Sequence, residues 1–347
     1  MLIIRHADVA GILAHRELEV IDLVRDAYLL HEKGQSSVPH STFLRFPGDE
    51  RNRIIGLPAY LGGENPAAGM KWIASFPGNL GLGLERASAA ILLSSVRTGR
   101  PEALIEGSLI SAKRTAASAA LAARMLIGDQ RPVGVTLIGC GVINLEVLRF
   151  LRVTLPTLAE VTLFDRDRER AGAFRGRCAE VAPDAVVSFA RSSGQALAAH
   201  GLVSVATTAP RPHTDLSACR PGSTVLHLSL RDLYPEAILG CQNVVDDPDH
   251  ACREGTSLHL AEQIAGDRRF IDASVGGVLA GSEVFRHDPD RIAVFSPFGL
   301  GILDLTLALF VKTAALRQGL GLRIDDFLPA STASRDTTIT TTTSSSR

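Results

Sequence analysis

Four basic residues in the first third of the chain stand close to apolar neighbours: Arg45 and Arg53 in "FLRFPGDERNR", Lys71 in "AGMKWIASF", and Arg114 at the head of the alanine-rich "ISAKRTAASAALAARML". A cation in such a setting is either solvated at an alternating strand position or desolvated and paired. Desolvated, it binds carboxylate or phosphate, and arginine's planar fork can do so with two parallel bonds. Lys113 and Arg114 raise a sharper question, because a helix N-terminus exposes free N–H groups and disfavours cations by roughly 0.3–1 kcal/mol. If that end faces a cleft, its N–H groups and Arg114 make an anion site; if the helix begins earlier, both side chains are solvated. Among the acids, Asp232 follows the strand-like "TVLHLS" within "LRDLYPE", a place for either a helix cap or an acid–base group.

A second cluster reads as a nucleotide site. "VTLIGCGVINLEVLRFL" is a strand, a turn of Gly139, Cys140 and Gly141, and a helix opening on Val142 and Ile143. Gly139 permits the tight turn, and Gly141 lets the backbone approach a pyrophosphate seated on the helix N-terminus. Asn144 replaces the third glycine of the GxGxxG pattern, and a broken pattern is a weaker signal. The next strand, "VTLFD", ends in Asp165, placed to hold ribose hydroxyls or else to cap a helix. An acid there repels a 2′-phosphate and favours NAD over NADP, with Arg166 as the opposing feature. Thr207 and Ser229 stand at the ends of later strands, where open α/β sheets collect ligands.

These residues need elements to position them. Apolar residues at 18, 21, 24, 27 and 28 predict a helix from Glu17 to Leu30. "RNRIIGLPAYLGG", "AAGMKWIASFPGN" and "ASAAILLSSVRTGRPEALIEGSLI" read as strands, with "TGRP" as a turn between an antiparallel pair. Beyond the alanine-rich helix, β-rich runs at 133–139, 160–165, 185–189, 202–208, 224–229 and 243–247 alternate early on with helical stretches at 144–154 and 167–180. That rhythm predicts an α/β fold: a Rossmann-like doubly wound parallel sheet beside an α+β unit. A helix within 295–316 is expected to return to the first unit, and the Ser/Thr-rich 331–347 reads as a disordered tail.

Composition narrows the partners. The 347 residues suit about two domains, and Lys plus Arg (36) balances Asp plus Glu (37), so no global field argues for nucleic acid or an anionic membrane. The five cysteines form no CxxC pair, which argues against a disulfide framework or zinc knuckle and for a reducing cytoplasm. No run reaches the ~18 apolar residues of a membrane span, and the ten histidines lack HExxH-like spacing, so no metal is expected. A small soluble substrate remains.

"PHSTFLRFP", "AGMKWIASFPGN", "ISAKRTAASAALAA" and "LIGCGVIN" together resemble the ornithine cyclodeaminase/mu-crystallin family over about residues 1–330. The resemblance implies a homodimer with an NAD-binding Rossmann domain at 116–304. Its substrate domain, 1–115 with 305–330, would make the dimer contact through its sheet. Arg45, Lys71 and Arg114 match substrate-carboxylate positions; Asp232 matches the catalytic acid, with Lys71 assisting at the reacting centre. Cofactor contacts are expected from Arg114, Thr115, Gly139, Cys140, Gly141, Val142, Ile143, Asn144, Asp165, Arg166, Thr207, Ser229 and Gly299. The wording of "RIIGLPAYLGG" and "KWIASFPGN" is nearest to members that oxidatively cleave an amino-acid conjugate rich in carboxylates. Cyclodeaminases, alanine dehydrogenases, ketimine reductases and ligand-binding mu-crystallins are the alternatives.

Overall fold

Strict alternation along Ala67–Ser75 buries Ala67, Lys71 and Ser75 on one face and leaves Trp72 exposed on the other. This strand lies near the centre of the first of two sheets in the structure, a computed structural model that describes residues 1–329. The tail read at 331–347 lies outside the described residues. From one edge the first sheet runs Leu322–Arg323, Leu2–Ile4, Pro101–Glu106, Ala87–Ser94, Ala67–Ser75, Asp49–Leu61 and Ser36–Ser37, with Thr42–Phe46 also paired to Asp49–Leu61. Its pairs are antiparallel apart from Leu2–Ile4 beside Pro101–Glu106. The "TGRP" turn does join an antiparallel pair. Helix Gly301–Gln318 packs across the buried face, as expected of an element returning to this sheet.

The second sheet is wholly parallel, in the order Val186–Phe189, Glu160–Phe164, Gly134–Ile138, Leu202–Val205, Thr224–His227, Ala293–Phe295, Gln242–Val245 and Ile271–Ser274. Its central strands are buried along their whole length, which is why they read as continuous apolar runs. The strand order reverses at Gly134–Ile138, whose neighbours Glu160–Phe164 and Leu202–Val205 continue in opposite directions across the sheet. Ligands of doubly wound sheets gather at such a reversal, and here it carries the Gly139 turn.

Both expected domain junctions, 115/116 and 304/305, fall inside continuous helices, Ser108–Leu126 and Gly301–Gln318. The first of these also corrects an expectation. It begins before Ile110, and the Glu106 carboxylate accepts from the backbone N–H of Ser108 at 2.7 Å and of Leu109 at 3.4 Å. Its opening N–H groups are therefore satisfied within the chain, and this helix end is not the anion site that the sequence suggested. Nor are the two cations solvated. Lys113 Nζ lies 3.2 Å from Glu146 and 3.7 Å from Glu17, joining helix Val142–Thr154 and helix Glu17–Glu32 to its own. Arg114 turns the other way, toward the first sheet.

Candidate active site

Lys71, in the middle of a strand, is 2% exposed and donates to Asp304 at 2.7 Å and to the Ser111 hydroxyl at 3.1 Å. Arg114 Nε donates to the other oxygen of the same carboxylate at 3.1 Å. Asp304, fully buried near the start of helix Gly301–Gln318, thus bridges both cations. One carboxylate between two cations leaves a net positive centre out of water. Burial, then the charge of Arg114, pushes the Lys71 ammonium down to about 8 against the pull of Asp304. Arg114 is also covered by Gly299. With φ +94° and only 2.6 Å between an added Cβ and Arg114 Nη1, that position requires glycine. Asp246 holds the loop there by accepting from Phe298 N at 2.9 Å and Gly299 N at 2.6 Å.

Asp232 is fully buried past the end of Thr224–His227. The Thr207 hydroxyl donates to one of its oxygens and the Ser229 hydroxyl to the other. His213 Nε2 lies 3.3 Å from the first oxygen and His227 Nε2 3.3 Å from the second. Burial pushes this carboxyl up, but His227 and the two hydroxyls outweigh it and hold the group well below the usual carboxylate range. Asp232 is therefore an anion at neutral pH, which the capping alternative does not require.

The glycine turn fits a dinucleotide. Gly139, with φ +92°, has no room for a side chain, since an added Cβ would meet the Ala206 carbonyl oxygen at 2.3 Å. At Gly141 an added Cβ meets nothing within 4 Å, so open space, not packing, lies over the N-terminus of helix Val142–Thr154. No side chain caps that end. Asp165 accepts from Cys140 N at 2.8 Å and remains half-buried beside the turn, with lone pairs left for ribose hydroxyls. Asn144 is a correction: its side chain is fully buried, donates to the carbonyls of Ile138 and Gly139 at 2.9 and 2.7 Å, and accepts from Ser204 at 2.7 Å. It braces the turn and offers no side-chain group to a ligand. Cys140 contributes its N–H, while burial and Asp165 push its thiol up to about 12. Val142 and Ile143 are half-buried at the helix start, Arg166 is exposed, and the Thr115 hydroxyl donates to the Ser111 carbonyl at 2.7 Å.

Lys71 and Arg114 thus meet, and Thr207 and Ser229 meet Asp232. Arg45 stands apart on strand Thr42–Phe46, more than half exposed and bonded to Glu254 at 2.9 Å. Sequence reasoning passed over Asp304, Asp246 and His227. Asp304 did leave a signal, a lone acid in the apolar run "GILDLTLALF", the same anomaly that marked Lys71. Among the described residues no group of histidine, cysteine and acidic side chains could hold a metal, and no helix is long and apolar enough to cross a membrane.

A sequence model of the ornithine cyclodeaminase/mu-crystallin family matches residues 3–319. The chain belongs to that family. Among its relatives, N-((2S)-2-amino-2-carboxyethyl)-L-glutamate dehydrogenase of Staphylococcus aureus is 27% identical, with 94% of this chain and 98% of that protein covered. Delta(1)-pyrroline-2-carboxylate reductase of Thermococcus litoralis, solved with NADH and L-proline, superposes with a TM-score of 0.86 at 25% identity, covering 93% of this chain and all of that one. An archaeal alanine dehydrogenase dimer with bound NAD gives 0.83 at 25% identity, over 94% of this family member and 99% of the dehydrogenase chain.

Proposed function

We propose that this family member is an NAD-dependent amino-acid dehydrogenase that oxidises the CH–NH bond of N-(2-amino-2-carboxyethyl)-L-glutamate and releases 2-oxoglutarate and 2,3-diaminopropionate, a building block for siderophores or peptide antibiotics. The observation that carries this reading is that the chain builds two unlike centres: an anionic Asp232 at the strand ends near the glycine turn, and a net-positive Lys71–Asp304–Arg114 group where two helices meet the first sheet. Relatives of similar length that are amino-acid dehydrogenases or an imino-acid reductase support it.

Gly139, Gly141, the backbone N–H groups of Val142 and Ile143 at the helix N-terminus, and Asp165 would hold NAD, which supplies the hydride acceptor when bound. Thr115, Thr207, Ser229 and Gly299 complete that surface, and Asp165 favours NAD over NADP. Lys71 and Arg114 hold a substrate carboxylate by charge-assisted bonds, with Arg45 at the outer side. The secondary amine reacts in its neutral form, and as hydride leaves the α-carbon the fixed negative charge of Asp232 offsets the iminium that develops, leaving the carboxylate free to take the proton of the water that follows. Water then adds to the iminium carbon. Asp232 relays the proton to the departing amine as the carbinolamine collapses, with Lys71 polarising the oxygen. The chain works as a homodimer through its first sheet, in the cytoplasm, where its five unpaired cysteines suit a reducing medium.

Purified protein incubated with NAD and the conjugate should form NADH, 2-oxoglutarate and 2,3-diaminopropionate in equal amounts. Ornithine should give neither proline nor NADH, because its cationic side-chain amine adds repulsion where a carboxylate is required. Proline and ammonia formed from ornithine without net NADH would establish a cyclodeaminase instead.

A further inference from the structure

Beyond the pair at Lys71, the first sheet carries a second group of cations along the same face. Directly paired residues of antiparallel strands share a face, and the register pairs Arg45 with Arg53, Arg53 with Ser75, and Ser75 with Ala87. Arg86, next to Ala87, donates to the Ser75 hydroxyl at 2.6 Å. Ser75 lies four residues along the strand from Lys71, a separation of ~13 Å on one face. From the other unit comes Arg231, the neighbour of Asp232, whose guanidinium donates to the Glu254 carbonyl at 2.7 Å. The Glu254 carboxylate is already engaged by Arg45.

The remaining arginines are poorly compensated. Among the described residues Arg53 Nε is buried without a hydrogen-bond partner. Burial lowers the pKa of Arg53, Arg86 and Arg231, and neighbouring guanidinium charge lowers each further, Arg45 acting on Arg53 and Arg53 on both Arg86 and Arg231; the opposing pull of Glu254 on Arg53 and Arg231, of Asp232 on Arg231 and of Glu85 on Arg86 offsets this only in part. Like charges drawn together out of water oppose folding unless an anion joins them.

We propose that Arg53, Arg86 and Arg231 form a second anion subsite, which takes the distal carboxylate of an extended polycarboxylate amino acid whose reacting end lies at Lys71 and Asp232. The inference rests on the dehydrogenase reading and adds the residues that select the substrate class. A monocarboxylate such as alanine leaves this subsite without a counter-charge; a conjugate or 2-oxodicarboxylate supplies one. Arg231, next to Asp232 in the chain, places the subsite beside the loop that carries that acid.

The test compares 2-oxoglutarate with 2-oxopentanoate, the same oxoacid with a methyl group in place of the distal carboxylate, by calorimetric titration of the NADH-loaded protein. 2-Oxoglutarate should bind about 10- to 100-fold more tightly, the worth of a charged hydrogen-bonded contact. Arg53→Gln and Arg86→Gln should each collapse that ratio, and Arg53→Lys should retain part of it. Equal binding of the two acids by the wild-type protein, or a ratio that survives both glutamine variants, overturns the inference; where a glutamine variant does not fold, Arg53→Lys and Arg86→Lys are read in its place, and an unchanged ratio in both overturns it equally. A ratio that holds and responds to the variants while the conjugate is not oxidised leaves the subsite standing and removes the proposed substrate. Oxidation of the conjugate without any ratio does the reverse.

Discussion

At Asp232 a single proton-accepting charge is held between two rotatable hydroxyls. Replacing it by Asn keeps the size, and the hydroxyls of Thr207 and Ser229 can turn to accept from the amide, so the fold should survive. Turnover should drop ~10²–10⁴-fold with NAD affinity retained, read by steady-state kinetics and calorimetry. Near-normal turnover would reduce Asp232 to a structural residue. Lys71 gives a pH signature. A carboxylate ligand needs the ammonium form, so the affinity of the NADH-loaded protein for 2-oxoglutarate should hold below the Lys71 pKa of about 8 and weaken above it, approaching tenfold per pH unit. Oxoacids carry no amine, and Asp232 titrates far below this window, so neither confuses the reading. Lys71→Arg should remove the alkaline weakening; a limb that persists unchanged would assign it elsewhere. Lys71, Arg114 and Asp232 were legible because charge within an apolar stretch is visible in a string of letters. Their meeting point was not: Asp304 lies 233 positions from Lys71 and 190 from Arg114, and only the returning helix brings them together.

Among the elements, the parallel strands were readable because burial on both faces writes itself as unbroken apolar runs. Ile271–Ser274 escaped because it lies at the sheet edge with Asp272 exposed and so writes no apolar run, and Ala293–Phe295 because three residues between two loops are too few to show a pattern. Leu2–Ile4 escaped because its partner, Pro101–Glu106, lies about a hundred positions away. The alanine-rich helix shows the reverse problem: its existence was plain, but its start depended on Glu106, whose capping role needs the fold. The same helix gives a test of how the two units are tied. Lys113 stands between Glu17 and Glu146, all three nearly buried. Lys113→Met should destabilise the protein by ~3–5 kcal/mol, because it strands buried acid, as measured by the urea midpoint. Adding Glu17→Gln and Glu146→Gln should recover much of the loss. A single variant as stable as the parent would show that this network is solvated in practice.

For the whole molecule, the face of the first sheet opposite Lys71 carries exposed Leu44, Tyr60 and Trp72, with the Trp72 ring lying over Gly56. An apolar surface of this kind suits contact with a second copy. Trp72→Glu should accordingly give monomers by light scattering, whereas unchanged mass would move the interface elsewhere. The alternation along Ala67–Ser75 then has a consequence for how the protein behaves at low concentration. Lys71 and Trp72 are adjacent residues pointing to opposite sides of one layer of backbone, so in the proposed dimer the floor of the proposed substrate site would also be the back wall of the subunit contact. Dilution that parts such a dimer would remove the support beneath Lys71 before it disturbs the nucleotide half. Specific activity should therefore fall on dilution in step with a red shift in the emission of Trp72, the chain's sole tryptophan, while NADH affinity lags behind, so that one native fluorophore reports both assembly and readiness for catalysis.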